Sequence, residues 1–179
     1  MNVVETKVNG LVLEQKTQQN IVILREVEGE SILPIWIGGG EAQAIRRILS
    51  EEPFPRPLTH DLLALVVEGL KAKITRVVIG DLKENTFYAT VIIERESEVL
   101  SIDARPSDSI AVALRAKAPI FVNDKLLQPP PQQEEEEGAA GTAEAGEGKP
   151  RELTEEEKAE QLRRYLEKLN PEDFGKFQL

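Results

Sequence analysis

The chain has 179 residues, a formal net charge of −10, no cysteine and one histidine. That length suits one domain with appendages, and the composition excludes a disulfide framework, thiolate chemistry and a structural zinc site. Residues 1–128 hold 15 basic and 18 acidic side chains, and residues 129–179 hold 7 and 14. The domain therefore lacks the basic block that dominates non-specific nucleic-acid binding, and no apolar run reaches membrane-spanning length.

In chain order, residues 3–14 are rich in Val and Leu and read as a strand, with Asn9-Gly10 as a bend or bulge. Residues 21–26 and 32–37 read as strands, and Pro34 points to an edge or bulge in the second. Gly38-Gly39-Gly40 leads into a helix over 41–50, given its inward face by Ala42, Ile45, Ile48 and Leu49. These glycines lack the Lys and Ser/Thr of a phosphate-binding loop, and Trp36 is expected to pack between layers. Three prolines make 51–58 a loop. Thr59 is expected to cap a helix running to Glu68 and ending at Gly69.

Residues 73–79, 86–94 and 99–104 give three more strands, with turns at 81–85 and Ser97. Residues 101–104 read as the end of a buried strand. Pro106 suits the first helical position, and Asp108 falls in the first turn, where a carboxylate meets unpaired N–H groups. This helix runs to Ala116, and residues 119–122 and 126–127 read as short closing strands. The element order strand, strand, strand, helix occurs twice, over 8–49 and 74–116. An offset of 67 places Gly38 on Arg105 and Glu41 on Asp108. The expected fold is α+β: duplicated βββα units forming a mixed or antiparallel sheet with flanking helices.

From Gln128 the composition changes. Residues 129–152, rich in Pro, Glu, Gly and Ala, read as a disordered linker between the 1–128 domain and a last amphipathic helix with its tail over 153–179. Leu162, Tyr165, Leu166 and Leu169 make one stripe too short to be stable alone in water. It is expected to dock on a protein surface.

Two stretches carry chemistry: Arg56-Pro57-Leu58-Thr59-His60-Asp61 and Asp103-Ala104-Arg105-Pro106-Ser107-Asp108. Each puts an arginine and carboxylates at a helix N-terminus, where anions also bind. Phosphodiester cleavage needs positive groups on the phosphate and a base or a metal-bound water. The candidate catalytic residues are His60, Asp61, Asp103, Arg105 and Asp108. Arg56, Thr59 and Ser107 are candidates for substrate binding, and Asp103 and Asp108 for Mg²⁺ or Mn²⁺. The two stretches are expected to converge on one polar site. The plainer reading is a helix cap, two first-turn acids and an Arg105–Asp103 pair, and residue type alone favours it.

The runs LPIWIG (33–38), EAQAI (41–45), RPLTHDLL (56–63), TFYATVII (86–93) and DARPSDSIAVALR (103–115) resemble the bifunctional nuclease family over about residues 3–127. Gly39 and Gly40 depart from the bulkier residues usual after IG. The resemblance implies a compact α+β domain, a homodimer or higher homo-oligomer, and hydrolysis of RNA and DNA. The expected protein is a cytoplasmic nuclease with no membrane association. A non-catalytic interaction module and a small-anion binder stand as alternatives.

Overall fold

The computed structural model describes residues 2–15, 17–130 and 160–161. Seven strands form one sheet: β1 (Val3–Leu13), β2 (Asn20–Glu26), β3 (Ile32–Ile37), β4 (Lys73–Lys83), β5 (Thr86–Arg95), β6 (Glu98–Ala104) and β7 (Ile120–Asn123). Their order is β3-β2-β1-β7-β4-β5-β6. Every neighbouring pair is antiparallel except β4 and β7. Two three-stranded meanders thus flank β7. Each meander is followed by a helix, α1 (Gly39–Leu49) after the first and α3 (Pro106–Ala116) after the second, with α2 (Thr59–Gly69) between the two halves.

The expected bulge lies between Val8 and Gly10 in β1, and Pro34 sits in β3, an edge strand. The Glu84-Asn85 turn joining β4 and β5 has both residues at positive φ, as a tight hairpin of matching twist requires.

The core lies between one face of the sheet and α1 and α3. Val22, Leu24, Val77 and Ile79 from the strands meet Ile45 from α1 and Ile110 from α3. On the opposite face Ile21, Ile23, Ile32 and Trp36 form a second buried cluster. Because β2 is buried on both faces, its sequence is a continuous apolar run rather than an alternation.

Four local expectations need correction. Residues 98–104 are not a buried strand: β6 closes the sheet, α3 packs on β4 and β5, and Val99, Leu100 and Ile102 are exposed. The segment 126–127 is not a strand. A 3-10 turn occupies Asp124–Leu126, capped by the Asn123 side chain accepting from the Lys125 N–H, and a single bridge joins Gln128 to Ile32. Leu58, not Thr59, is the N-cap of α2, and the Asp61 carboxylate reaches back to accept its N–H at 2.8 Å. Finally, α1 begins at Gly39, two residues before the expected start.

Helix α2 has no buried residue. Its inner side offers the half-buried Asp61, Ala64 and Val67 below the N-cap Leu58, while Leu62, Leu63 and Val66 are exposed and Leu65 is exposed along the cleft edge. The linker and last-helix expectations lie outside the described residues, apart from residues 129–130 and the helical pair Glu160 and Gln161.

Candidate functional site

Side chains from the first turns of α1, α2 and α3 meet at one corner. Arg105 is the N-cap of α3, held extended, with Pro106 at the first helical position. The chain therefore turns sharply from β6 into α3, and Asp108 faces α2. Asp108 Oδ1 lies 3.0 Å from His60 Nε2, and Asp108 Oδ2 accepts from Arg105 Nε at 2.7 Å. Arg105 reaches in turn to Glu41 Oε1, in the first turn of α1, at 2.9 Å. Glu41, Arg105, Asp108 and His60 thus form one chain of alternating charge across three helices.

Burial works to raise the Asp108 pKa, but hydrogen bonds from Arg105 and His60 outweigh it and hold the carboxyl below its ordinary value. The same Asp108 hydrogen bond, against a smaller desolvation, raises Arg105. Asp108 is therefore ionised at neutral pH. As an acceptor only, it fixes the proton of His60 on Nε2 and leaves the Nδ1 lone pair available.

A second pair lies beside the first. Arg115, in the last turn of α3, ion-pairs through Nε with Asp61 Oδ1. Its Nη1 donates to Ala111 O at 2.8 Å and its Nη2 to Ala44 O at 3.2 Å. Burial would raise the Asp61 pKa, but the Leu58 N–H and Arg115 together lower it.

The two stretches thus meet through His60, Asp108 and Arg105. Asp61 is turned toward Arg115. Asp103 lies on exposed β6 opposite Thr90, and its side chain makes no hydrogen bond or ion pair among the described residues; Arg105 pairs with Asp108 and Glu41. Arg56 lines an adjoining cleft of about 1100 Å³ between α2 and the C-terminal ends of α1 and α3, with Arg47, Phe54, Lys73 and Lys117, and the Asp61–Arg115 pair lines it too. Thr59 is exposed beside His60. Ser107 is buried, and its Oγ has no hydrogen-bond partner among the described residues.

Among the described residues no group of three or more His, Asp or Glu side chains is gathered for a metal ion. Both Asp108 oxygens already serve His60 and Arg105. As arranged, the corner fits an ion-paired network better than the oxygen shell of Mg²⁺ or Mn²⁺.

Two members of the network, Glu41 and Arg115, are not among the sequence candidates. Both lie inside the quoted runs, and Glu41 is the residue that the offset of 67 aligns with Asp108. Arg115 gave no signal of its own, because a basic residue in a last helical turn is ordinary dipole complementation.

An α+β domain with a polar corner built on helix N-termini is the class of protein that these elements define. A family model described as the bifunctional nuclease domain matches residues 22–135, and the chain belongs to that family. An uncharacterized protein of Mycobacterium tuberculosis is 37% identical over 177 residues, covering 95% of this chain and 97% of that protein. Bifunctional nuclease 1 of Oryza sativa subsp. japonica and the bifunctional nuclease of Oryza minuta are each 25% identical over 118 residues, 64% of this chain and 36% of theirs. Among the described residues no helix is long and apolar enough to cross a membrane.

Proposed function

We propose that the chain hydrolyses phosphodiester bonds in RNA or DNA at the corner where His60, Asp108 and Arg105 meet. The observation that carries this reading is the 3.0 Å contact between His60 Nε2 and Asp108 Oδ1, with Asp108 held from its other side by Arg105. A carboxylate behind an imidazole sets its tautomer and stabilises the imidazolium that forms when it takes a proton. His60 Nδ1 then removes a proton from the attacking water; its oxygen bonds to phosphorus as the P–O bond to the leaving strand breaks, and the leaving oxygen takes up a proton from the imidazolium or solvent. The half-exposed Arg105 guanidinium receives the phosphate and its growing negative charge. Family membership and the plant relatives' names support the substrate class.

The test is cleavage of RNA and DNA by the full chain, with and without Mg²⁺ or Mn²⁺. On this reading His60→Ala lowers cleavage by about 10²–10⁴-fold, and the metal arm reports whether Asp103 and Asp108 recruit a cation once substrate is bound.

One observation favours a second reading, that of a protein-interaction module: α2 is apolar on its outer side and carries no buried residue. A helix apolar all round is normally covered. Within the nuclease reading the same face, with the exposed apolar edge strand β6, serves a homodimer or larger homo-oligomer.

A further inference from the structure

We infer that Arg115 is the positioning residue of this site: it locks the first turn of α2, and with it His60, without touching substrate. This inference rests on the reading of His60 as the working base. Arg115 is 6% exposed, and a buried guanidinium requires partners. All three of its nitrogens have them, and the acceptors lie on three helices: Asp61 on α2, Ala111 O on α3 and Ala44 O on α1. The bond to Ala111 ties the arm to its own helix, so the fork points in one direction. Each nitrogen thus already has a partner inside the protein.

Asp61 carries the constraint onward. While one oxygen takes Arg115, the other accepts the Leu58 N–H at 2.8 Å. The two residues flanking Thr59-His60 are therefore fixed to each other and, through Arg115, to α1 and α3. This matters because α2 has no fully buried side chain, and of its residues only the half-buried Val67 joins the core cluster. Three prolines precede it, and its outer side faces away from the core. Polar ties thus set the position of its first turn, and two of them reach α3: Asp61–Arg115 and His60–Asp108. The first holds α2 in place so that the second forms at hydrogen-bond distance. A lysine cannot substitute, since a single ammonium on a flexible stem does not present a rigid fork to three acceptors.

The chain's single histidine makes the test direct, because an imidazole ¹H–¹⁵N correlation spectrum reports His60 alone. Arg115→Gln and Arg115→Lys are compared with wild type as full chains at one pH. Both are expected to shift or broaden the imidazole signals and to lower kcat at least tenfold with KM within about twofold, the signature of a misplaced base rather than lost binding. A merely structural role predicts a lower melting temperature with the imidazole signals of the folded protein unmoved, and that result overturns the inference. Should Arg115→Gln fail to fold, Asp61→Asn breaks the same tie from its more exposed side. The same spectral change is expected, and an unchanged spectrum refutes the inference. If wild type cleaves nothing, the proposed activity fails while the spectrum still decides whether Arg115 positions His60.

Discussion

Asp108→Asn tests the electrostatic origin of the corner. The amide keeps the shape of the carboxylate and removes its charge. The His60–Asp108 side chains are 16% and 30% exposed, and a hydrogen bond to a charged group in such a setting contributes about 1.5–3 kcal/mol. The Asn carbonyl still accepts one hydrogen bond, which recovers part of this. The Arg105 contact adds little, because that guanidinium is 52% exposed and keeps Glu41. The expected loss at pH 7 is about 2 kcal/mol. The pH dependence separates charge from packing. Asp108 has a folded pKa below the ordinary 3.8, so its contribution is fully present above that value and is lost as pH falls through the folded pKa. Asn does not titrate, so the gap between wild type and variant should begin to narrow below about pH 3.8 and close only once pH is below the folded pKa. Asp61, also lowered, titrates in the same window but in both proteins, and its effect cancels. Urea unfolding at stepped pH, followed by fluorescence of the single buried Trp36, supplies the measurement. A gap that is unchanged between pH 7 and pH 3 would refute the reasoning, because only lost packing behaves that way.

Two further predictions concern the frame around the site. Val66→Asp, on the exposed side of α2, should lower the native mass seen by light scattering while leaving the circular dichroism spectrum intact; an unchanged mass removes α2 from the assembly surface. Ile45→Ala, at a fully buried position in α1, should cost about 2–4 kcal/mol in urea unfolding, and a loss under 1 kcal/mol would mean that the core cluster does not seat α1.

Much of the frame was legible because it is local. Pro106 and Asp108 marked the start of α3, Asn9-Gly10 the bulge, and Pro34 an edge strand. The charge crowded into two helix starts also pointed to their meeting, since charge near a core needs partners. What stayed hidden depends on sheet order and distant contacts. Val99, Leu100 and Ile102 have the residue types of a covered strand, and only the place of β6 at the end of the sheet exposes them. The partner of Arg115 is 54 residues away, so nothing near Arg115 shows that it is buried. The start of α2 lies one residue earlier than expected, with the Asp61 carboxylate reaching back to the Leu58 N–H.

The central claim is that His60, oriented by Asp108, is the base of a phosphodiester hydrolase. The measurement that tests it most directly is the single-turnover cleavage rate of an RNA and a DNA substrate by wild type, His60→Ala and Asp108→Asn, each confirmed folded and each assayed with EDTA, Mg²⁺ and Mn²⁺. The account predicts wild-type cleavage that falls by about 10²–10⁴-fold in His60→Ala and substantially in Asp108→Asn. Wild-type cleavage that His60→Ala leaves intact, or no cleavage of either substrate under any of these conditions, would contradict it.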